Sequence, residues 1–458
     1  MTSVSKLICT VASFSLLTAC QPVNFEKIVA DNFPISATDT AEAAVASESM
    51  SLDKLIDLAP SKVNVDAGFS MAISEAISKD PVVLAAKSEA VARRAAERVT
   101  ASGKAFNFDA TLLGGIEDVT DETAGIATIL KASKLLYDGG QLDAKIAADA
   151  LAAEAAEQAH LAVINERAYK LALAWVELER YRNLDELIQR RLGVLDPLLV
   201  QLERVATSGI GDVSQVAAAQ RTVAAIRITQ TDVAERLAQA EVNFENDFGR
   251  LPIKSRYDAK LISNAVPKKG LATLAKQAPA LRAEFLKYKS AEAALASVNA
   301  KSRFSVAFET KAQKPFGGSG YASDESIGLV VRKQFYSGDQ LEAQIDRAED
   351  VAIAQAEKVK AAYRKGERTV KSARQLMSSM DQAIRLARKN SQITQDEIDY
   401  LRKQLVIGGS TLDSVLSAEA RLYEAESKEI EFRTEKRKAE LTILGTLGLL
   451  GKLLGANK

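Results

Sequence analysis

Histidine and cysteine, the side chains that most often bind zinc or take part in nucleophilic catalysis, are scarce in this chain. Its 458 residues include one histidine, His160, and two cysteines, Cys9 and Cys20. A zinc site needs several His or Cys ligands, and a nucleophilic triad needs a histidine beside a nucleophile and a carboxylate. Residues 317–320 (GGSG) are not followed by the Gly-Lys-Ser/Thr of a phosphate-binding loop. The sequence therefore predicts no enzyme, no cofactor and no metal site, and we expect His160 to be an ordinary residue of a helix surface.

Cys20 is the residue with the clearest predicted chemistry. It follows a basic start, a short apolar stretch and small residues, which is the layout of a secretory signal peptide. Leu17-Thr18-Ala19-Cys20 resembles a bacterial lipobox, in which the cysteine becomes the acylated first residue of the mature chain. The alternative is ordinary cleavage nearby, with no role for Cys20. We expect a signal peptide over residues 1–19, lipidation of Cys20 and a lipid-anchored N-terminal segment over residues 20–67.

The composition excludes some classes of protein. Lys and Arg number 60, as do Asp and Glu, so the formal net charge is zero and no basic excess indicates nucleic-acid binding. Aromatic residues make up only 5% of the chain and alanine is abundant, which is typical of closely packed helices. No later segment has about 18 uninterrupted apolar residues, so we expect no transmembrane helix. An exported chain of this kind is anchored to a membrane or crosses it as a β-barrel.

Two nearly identical segments precede the two longest helical patterns. Residues 137–144 read YDGGQLDA and residues 336–343 read YSGDQLEA, an offset of 199 residues. Gly209 and Gly408, at the far ends of those patterns, are also offset by 199 residues. This fixed spacing indicates a tandem duplication of a long unit. We expect a first structural repeat over residues 68–265, a second over residues 266–450 and a C-terminal tail over residues 451–458.

Both repeats have the same predicted order of elements. Helical stretches come first, at residues 70–102 and 271–301. Strand pairs follow, at residues 106–112 with 124–136 and 303–309 with 326–335, joined by hairpin loops at residues 117–122 and 312–325. Runs of about 70 residues then predict helices about 105 Å long, at residues 140–207 and 338–407. Glycine turns lead to return helices at residues 212–248 and 411–444, so each repeat ends in an antiparallel helical hairpin.

Taken alone, the helical hairpins have an ordinary interpretation. Helices of this length need a coiled-coil-like partner, and each return helix supplies one. Apolar residues recur at helical spacing in the first return helix, and its many alanines permit close helix contact. A plain coiled-coil spacer is therefore the alternative to a functional tube.

The predicted strands alternate apolar and polar residues. Phe304, Val306 and Phe308 share one face, and Ser305 and Ala307 share the other. A lipid-facing strand with a water-facing side has this pattern, and so does a small soluble β-domain. Four strands cannot close a barrel and open edges are not tolerated in lipid, so membrane-spanning strands would require several chains. Two chains would give a barrel of about eight strands, and three would give about twelve.

The duplicated octets, the glycine turns and the matched prolines Pro81 and Pro279 together resemble a TolC-family outer-membrane export channel. The resemblance extends over about residues 65–450. It implies a mainly α fold with a membrane β-barrel part: long antiparallel hairpins forming an α-barrel, and four β-strands per protomer in a trimeric 12-stranded barrel. It also implies a homotrimer in outer-membrane lipid that extends into the periplasm and meets a periplasmic adaptor and an inner-membrane pump, with no nucleic acid.

The resemblance also assigns roles to the turns. The expected adaptor contacts are Gly209, Ile210, Gly408 and Gly409. In well-known members, acidic residues after the second turn ring the closed mouth. Here the matching positions are Ser414 and Ser417, with Asp413 adjacent, so an acidic ring does not carry over. We treat Asp413, Ser414 and Ser417 as the candidate gate.

Three functions follow from these patterns. The first is a passive exit duct of a tripartite system, for drug and small-molecule efflux or for type I protein secretion. The second is a periplasmic adaptor-like or structural coiled-coil lipoprotein without a channel, although an adaptor usually has one hairpin flanked by β-rich domains. The third, a secreted enzyme, lacks a catalytic constellation. The sequence therefore favours the duct.

Overall fold

The computed structural model describes residues 63–118, 123–208, 213–253, 256–316, 323–335 and 338–456, all within one unit, Pro60–Lys458. After a 3₁₀ turn at Val65–Ala67, the first repeat region contains α1 (Phe69–Lys79), α2 (Pro81–Ser102), β1 (Asn107–Asp118), β2 (Thr123–Tyr137), α3 (Gln141–Thr207) and α4 (Val213–Phe248). The chain continues through α5 (Ala259–Ala265), α6 (Leu271–Gln277), α7 (Pro279–Ala300), β3 (Ser305–Phe316), β4 (Asp324–Arg332), α8 (Gln340–Val406), α9 (Leu412–Thr446) and α10 (Leu450–Leu453).

The lengths of the elements follow the predicted duplication. The long helices α3 and α8 each have 67 residues and begin 199 residues apart. The shorter helices α2 and α7 each have 22 residues, and β1 and β3 each have 12. Mainly helical architecture, long helical hairpins and four antiparallel strands among the described residues confirm the predicted fold class. The division of the chain into repeats between residues 265 and 266 stays a prediction.

The strands form one antiparallel sheet in the order β1-β2-β3-β4, in which β2 and β3 join the two repeats. The four helices that connect directly to these strands are neighbours in the same order, α2, α3, α7 and α8. Further from the sheet, α4 packs on α3, and α9 packs between α3 and α8. Because a 67-residue helix is about 100 Å long, α3 and α8 belong both to the helical layer next to the sheet and to the helical hairpins further from it.

The octets are junctions between strands and long helices. In the first, Asp138 follows β2, and its carboxylate accepts hydrogen bonds from the backbone N–H groups of Gly140 (2.9 Å) and Leu142 (2.6 Å). Gly139 has a φ of 71°, and a Cβ there would lie 2.6 Å from the Cβ of Arg303. A left-handed backbone and a close neighbouring strand end therefore both favour glycine at this position.

The helical stretches before the strands differ from the prediction, because prolines divide each of them. The stretch predicted at residues 70–102 is α1 and α2, separated at Asp80, and the stretch predicted at residues 271–301 is α6 and α7, separated at Ala278. Pro81 and Pro279 each occupy the first turn of the following helix. Proline is tolerated there because its missing N–H would have no helical partner.

An ion cluster links the start of α2 to the middle of α3. Asp80 caps α2 by accepting from the N–H groups of Val82 (2.9 Å) and Val83 (3.3 Å). Its other carboxylate oxygen lies 2.6 Å from Nε of Arg167, and the same guanidinium lies 3.3 Å from Asp247 at the end of α4. Arg167 thereby holds the end of α4 and the start of α2 against one point of α3.

The main hydrophobic core lies around this midpoint. It combines residues of α1, the middle of α3, the ends of α4 and α9, α5 and α10. Trp175 is fully buried, with its ring in edge contact with Phe69, Phe244 and Phe248. Such aromatic clusters bury large apolar areas. The core therefore fixes the point along α3 at which its packing partner changes from α2 to α4.

The strands extend into both predicted hairpin loops. Residues 312–316, expected in a hairpin loop, continue β3 and pair with β2, including Pro315 opposite Ala127. The pairing of β3 with β4 reaches only Gln313 opposite Asp324, so Pro315 lies where β3 has a partner on one side. A proline lacks the N–H of the ladder and is accommodated at such a position. Of the predicted loop over residues 117–122, positions 117 and 118 belong to β1 and the remainder lies outside the described residues.

No helix in the described part of the chain has an apolar stretch long enough to span a bilayer.

Candidate functional site

One face of the sheet, which we call the apolar face, carries mostly hydrophobic side chains. The register places Phe308 between Lys134 and Leu329, and Thr310 between Ala132 and Ile327. The apolar members of this face include Phe108, Ala110, Leu112, Leu130, Ala132, Val306, Phe308, Ala312, Ile327, Leu329 and Val331. Phe108 is 78% exposed, Ile327 75% and Leu329 65%. So many large, exposed apolar side chains on one face mark a surface that is covered by lipid or by another protein.

The opposite face, which we call the polar face, carries charged and hydroxyl side chains. Asp109, Lys131, Lys311 and Ser326 form one row across the four strands. Towards the hairpin end of β3, exposure alternates with the face. Lys311 and Gln313 on the polar face are half-buried, whereas Ala312 and Lys314 on the apolar face are exposed. Near this end of β3 the polar face is thus the more enclosed one, as expected for the inside of a curved sheet.

Aromatic residues mark the end of the apolar face next to the helices. Tyr137 and Phe304 have ring centroids 5.0 Å apart, and Phe106 lies 6.0 Å from Phe108. The Nζ of Lys134 lies 5.0 Å from the ring centre of Phe106. Aromatic girdles with nearby lysines are typical of strands where lipid headgroups meet water.

The faces agree with the alternation predicted from the sequence. Phe304 precedes β3 on the side of the apolar face, and Val306 and Phe308 lie on that face, while Ser305 and Ala307 lie on the polar face. The sequence of residues 124–136 alternates less regularly than that of β3, because the apolar Ala127 and Ile129 lie on the polar face. Lipid contact of one face and water contact of the other stay predictions.

The turn of the second helical hairpin exposes apolar side chains. Val406 is 87% exposed and Ile407 is 76% exposed. Gly408 has a φ of 74°, the left-handed conformation that terminates many helices. A Cβ at Gly409 would lie 2.0 Å from Oε1 of Gln404, so a larger residue would displace that flexible side chain. The turn therefore presents a small backbone surface beside two exposed apolar residues.

The candidate gate residues lie in the first turns of α9. Asp413, Ser414 and Ser417 are all half-buried. Thr411 caps the helix by accepting from the N–H of Ser414 at 3.2 Å, and the hydroxyls of Thr411 and Ser414 are 2.8 Å apart. Ser414 therefore takes part in the helix cap, while a gating role for the three residues stays a prediction.

A buried ion network near the turns was not predicted from the sequence. Glu419 of α9 is 2% exposed and lies 3.2 Å from Arg191 of α3 and 2.7 Å from Arg402 of α8. Arg191 also lies 2.5 Å from Glu426, which is about two helical turns after Glu419 on α9. The signal in the sequence is an acid flanked by the apolar residues Leu416 and Leu422, a spacing that places Glu419 near the buried face of α9.

Some predicted site residues cannot be placed. Cys20, Gly209 and Ile210 lie outside the described residues, whereas Gly408 and Gly409 lie at the turn. His160 is half-buried in α3, where partial burial and then the positive charge of Lys87 lower its pKa. No group of His, Cys, Asp and Glu within the described ranges is arranged to hold a metal ion.

The fold is shared with outer-membrane channels of known structure. CusC, studied for its folding and transmembrane channel formation, is 18% identical with a TM-score of 0.71, over 84% of this chain and 93% of its own. VceC, an outer membrane protein of Vibrio cholerae, is 16% identical with a TM-score of 0.69, over 82% of this chain and 95% of its own. The open-state MtrE channel of Neisseria gonorrhoeae is 15% identical with a TM-score of 0.67, over 82% of this chain and 88% of its own. No family model matches the sequence and no curated protein matches it. The similarity shows that the chain has the fold of TolC-family outer-membrane channels.

Proposed function

We propose that this chain is a subunit of an outer-membrane exit duct in a tripartite export system. The observation that carries the proposal is the two-faced sheet, whose exposed apolar face is directly joined to helices about 100 Å long. Lipid covers the apolar face, water fills the space beside the polar face, and the helices extend the duct into the periplasm. The shared fold with outer-membrane channels supports this arrangement.

The proposed assembly is a homotrimer. Within one chain, β1 and β4 have only one neighbouring strand each, so the sheet has two open edges. Backbone groups at an open edge cannot stay unpaired in lipid. If β4 of one subunit pairs with β1 of the next, three subunits close a barrel of about twelve strands with room for a channel.

The partners of the proposed duct are a periplasmic adaptor and, through it, an inner-membrane pump. The proposed adaptor contacts at the turn of the second hairpin are Gly408 and Gly409, beside the exposed Val406 and Ile407. Gly209 and Ile210, which lie outside the described residues, are the corresponding proposed contacts in the first repeat. Asp413, Ser414 and Ser417 are the proposed gate just behind the turn. Cys20 is the proposed lipid anchor. The cargo is either small molecules or secreted proteins.

Conductance of the purified protein in a planar bilayer tests the proposal. Discrete, long-lived conductance steps are expected, together with heat-modifiable migration of protein extracted from outer membranes, because a closed barrel resists SDS at room temperature. The alternative, an adaptor-like or structural coiled-coil lipoprotein, would give neither conductance nor heat-modifiable migration. Either absence in protein that is otherwise folded and trimeric would count against the duct.

A further inference from the structure

The described side chains of the polar face include equal numbers of cations and anions. Among its described side chains, the cations are Lys131, Lys311 and Arg332, and the anions are Asp109, Glu309 and Asp324. No other Asp, Glu, Lys or Arg with a described side chain lies on this face within the strands.

These charges are arranged as opposite-charge pairs across neighbouring strands. Arg332 on β4 lies 2.6 Å from Glu309 on β3, and Lys311 on β3 lies 2.9 Å from Asp324 on β4. Asp109 on β1 and Lys131 on β2 are direct register partners. Cross-strand neighbours of opposite charge attract each other, so each fixed charge has its compensation within the same chain.

The centre of the face shows why pairing matters. Lys131 and Lys311 are themselves register partners on β2 and β3. Like charges directly opposite each other on a sheet are destabilising. Asp109 on the outer side of Lys131 and Asp324 on the outer side of Lys311 compensate this repulsion. The row would otherwise carry the strongest positive potential of the face.

We propose that the barrel wall of the duct is electrically neutral by pairing and that this wall does not discriminate between anions and cations. The inference rests on the proposed trimeric duct and defines its substrate class: polar solutes of either charge, zwitterions included. Each ion pair is a short dipole whose field decays within a few ångströms in water, whereas an unpaired ring of charge acts over about 8 Å at physiological ionic strength. A wall of such pairs therefore leaves little net potential in the water that a solute crosses.

Reversal potentials across planar bilayers under a KCl gradient test the proposal, through the permeability ratio of K⁺ to Cl⁻. For the unaltered protein we expect a ratio of about 1. Lys311→Gln leaves Asp324 uncompensated in every subunit, and the ratio should rise by about twofold or more. Asp324→Asn leaves Lys311 uncompensated, and the ratio should fall by a similar factor. The double variant removes both charges and should return to the unaltered ratio.

Lys314→Gln provides a matched control. Lys314 lies on the same strand as Lys311 but on the apolar face, so the loss of its charge should leave the permeability ratio unchanged. A strongly selective unaltered channel, single variants that shift the ratio in the same direction or not at all, or an equal effect of Lys314→Gln would each overturn the proposal while leaving the duct in place. Absence of conductance from every protein would overturn the duct itself, and the neutral wall with it.

Discussion

Arg191 and Glu419 lie 3.2 Å apart although 228 residues separate them in the chain, and their contact joins α3 of the first helical hairpin to α9 of the second. Arg402 of α8 reaches the other oxygen of the same carboxylate. One buried acid thus connects three helices close to the proposed entrance of the duct.

Replacement of Glu419 should loosen this end of the molecule. Glu419→Gln removes the negative charge that two arginines share, and we expect a loss of about 2 kcal/mol in unfolding free energy. The measurement is thermal unfolding of the purified protein, with hydrogen exchange of the helices near the turns. Glu397→Gln is the matched control, because the Glu397–Arg421 pair is about half exposed and should contribute less than about 1 kcal/mol. Equal losses of unfolding free energy in the two variants would show that burial of the Glu419 ion pairs does not increase their contribution to stability.

Asp80 should stabilise the protein in two separable ways. Asp80→Asn keeps a side-chain oxygen to cap α2 but removes the charge opposite Arg167, which should cost about 1–3 kcal/mol. Asp80→Ala removes the cap as well and should cost about 1 kcal/mol more. Thermal unfolding midpoints should therefore fall in the order unaltered protein, Asn variant, Ala variant. If both variants melt together, the capping contribution is absent.

Glu440 should make stability depend on pH. The side chain is 2% exposed, and burial raises its pKa above the ordinary 4.5 despite the hydrogen bond from Ser263. The folded protein favours the neutral carboxyl, so ionisation of Glu440 costs stability. This cost is complete above the folded pKa and absent below the unfolded one.

Glu440→Gln should therefore raise the melting temperature near neutral pH, and the gain should shrink as the pH falls towards 4.5. The measurement is the melting temperature of both proteins across that range. Glu424→Gln, on the exposed side of the same helix, is the control. A gain for Glu440→Gln that grows on acidification would contradict the assigned direction.

The two faces of the sheet should respond differently to an added charge. Leu130 is 55% exposed on the apolar face, and Leu130→Lys should impair assembly by about 2–4 kcal/mol if lipid covers that face near the bilayer centre. Ser133→Lys, on the same strand but opposite Glu309 on the polar face, should assemble normally. The measurement is the yield of SDS-resistant trimer in outer membranes. Similar yields from the two variants would exclude membrane-spanning strands.

The turn should be required for export but not for assembly. Ile407→Asp places a charge on a residue that is 76% exposed, so the fold should survive while apolar contact with an adaptor is lost. Ile228→Asp is a control on the side of α4, where the residue is 67% exposed. We expect the first variant to reach the outer membrane as a trimer without supporting export, and the second to function. The reverse result would locate adaptor contact along the sides of the helices.

Much of the architecture follows from local sequence patterns. The 67 residues of α8 contain one glycine and no proline, and nothing within them ends a helix. Alternation around Phe304, Val306 and Phe308 identified β3 because side chains of a strand point to opposite faces in turn. Pro197 did not interrupt α3, although a proline inside a helix removes one backbone hydrogen bond. The neighbouring Leu195, Leu198 and Leu199 belong to one hydrophobic cluster with residues of α4 and α9.

The sequence by itself indicated the repeat, and it determined the element types and the approximate lengths of the long helices and the return helices, because these depend on residues that are neighbours in the chain. Tertiary structure decided which charges meet. Arg167 contacts Asp80 over 87 residues, and Arg191 contacts Glu419 over 228. In the sequence, Arg167 and Arg191 look like two more solvated charges on a helix rich in charges. Only the packing of rigid helices and the register of the strands select the few that are buried and paired, because burial and distance are properties of the folded chain.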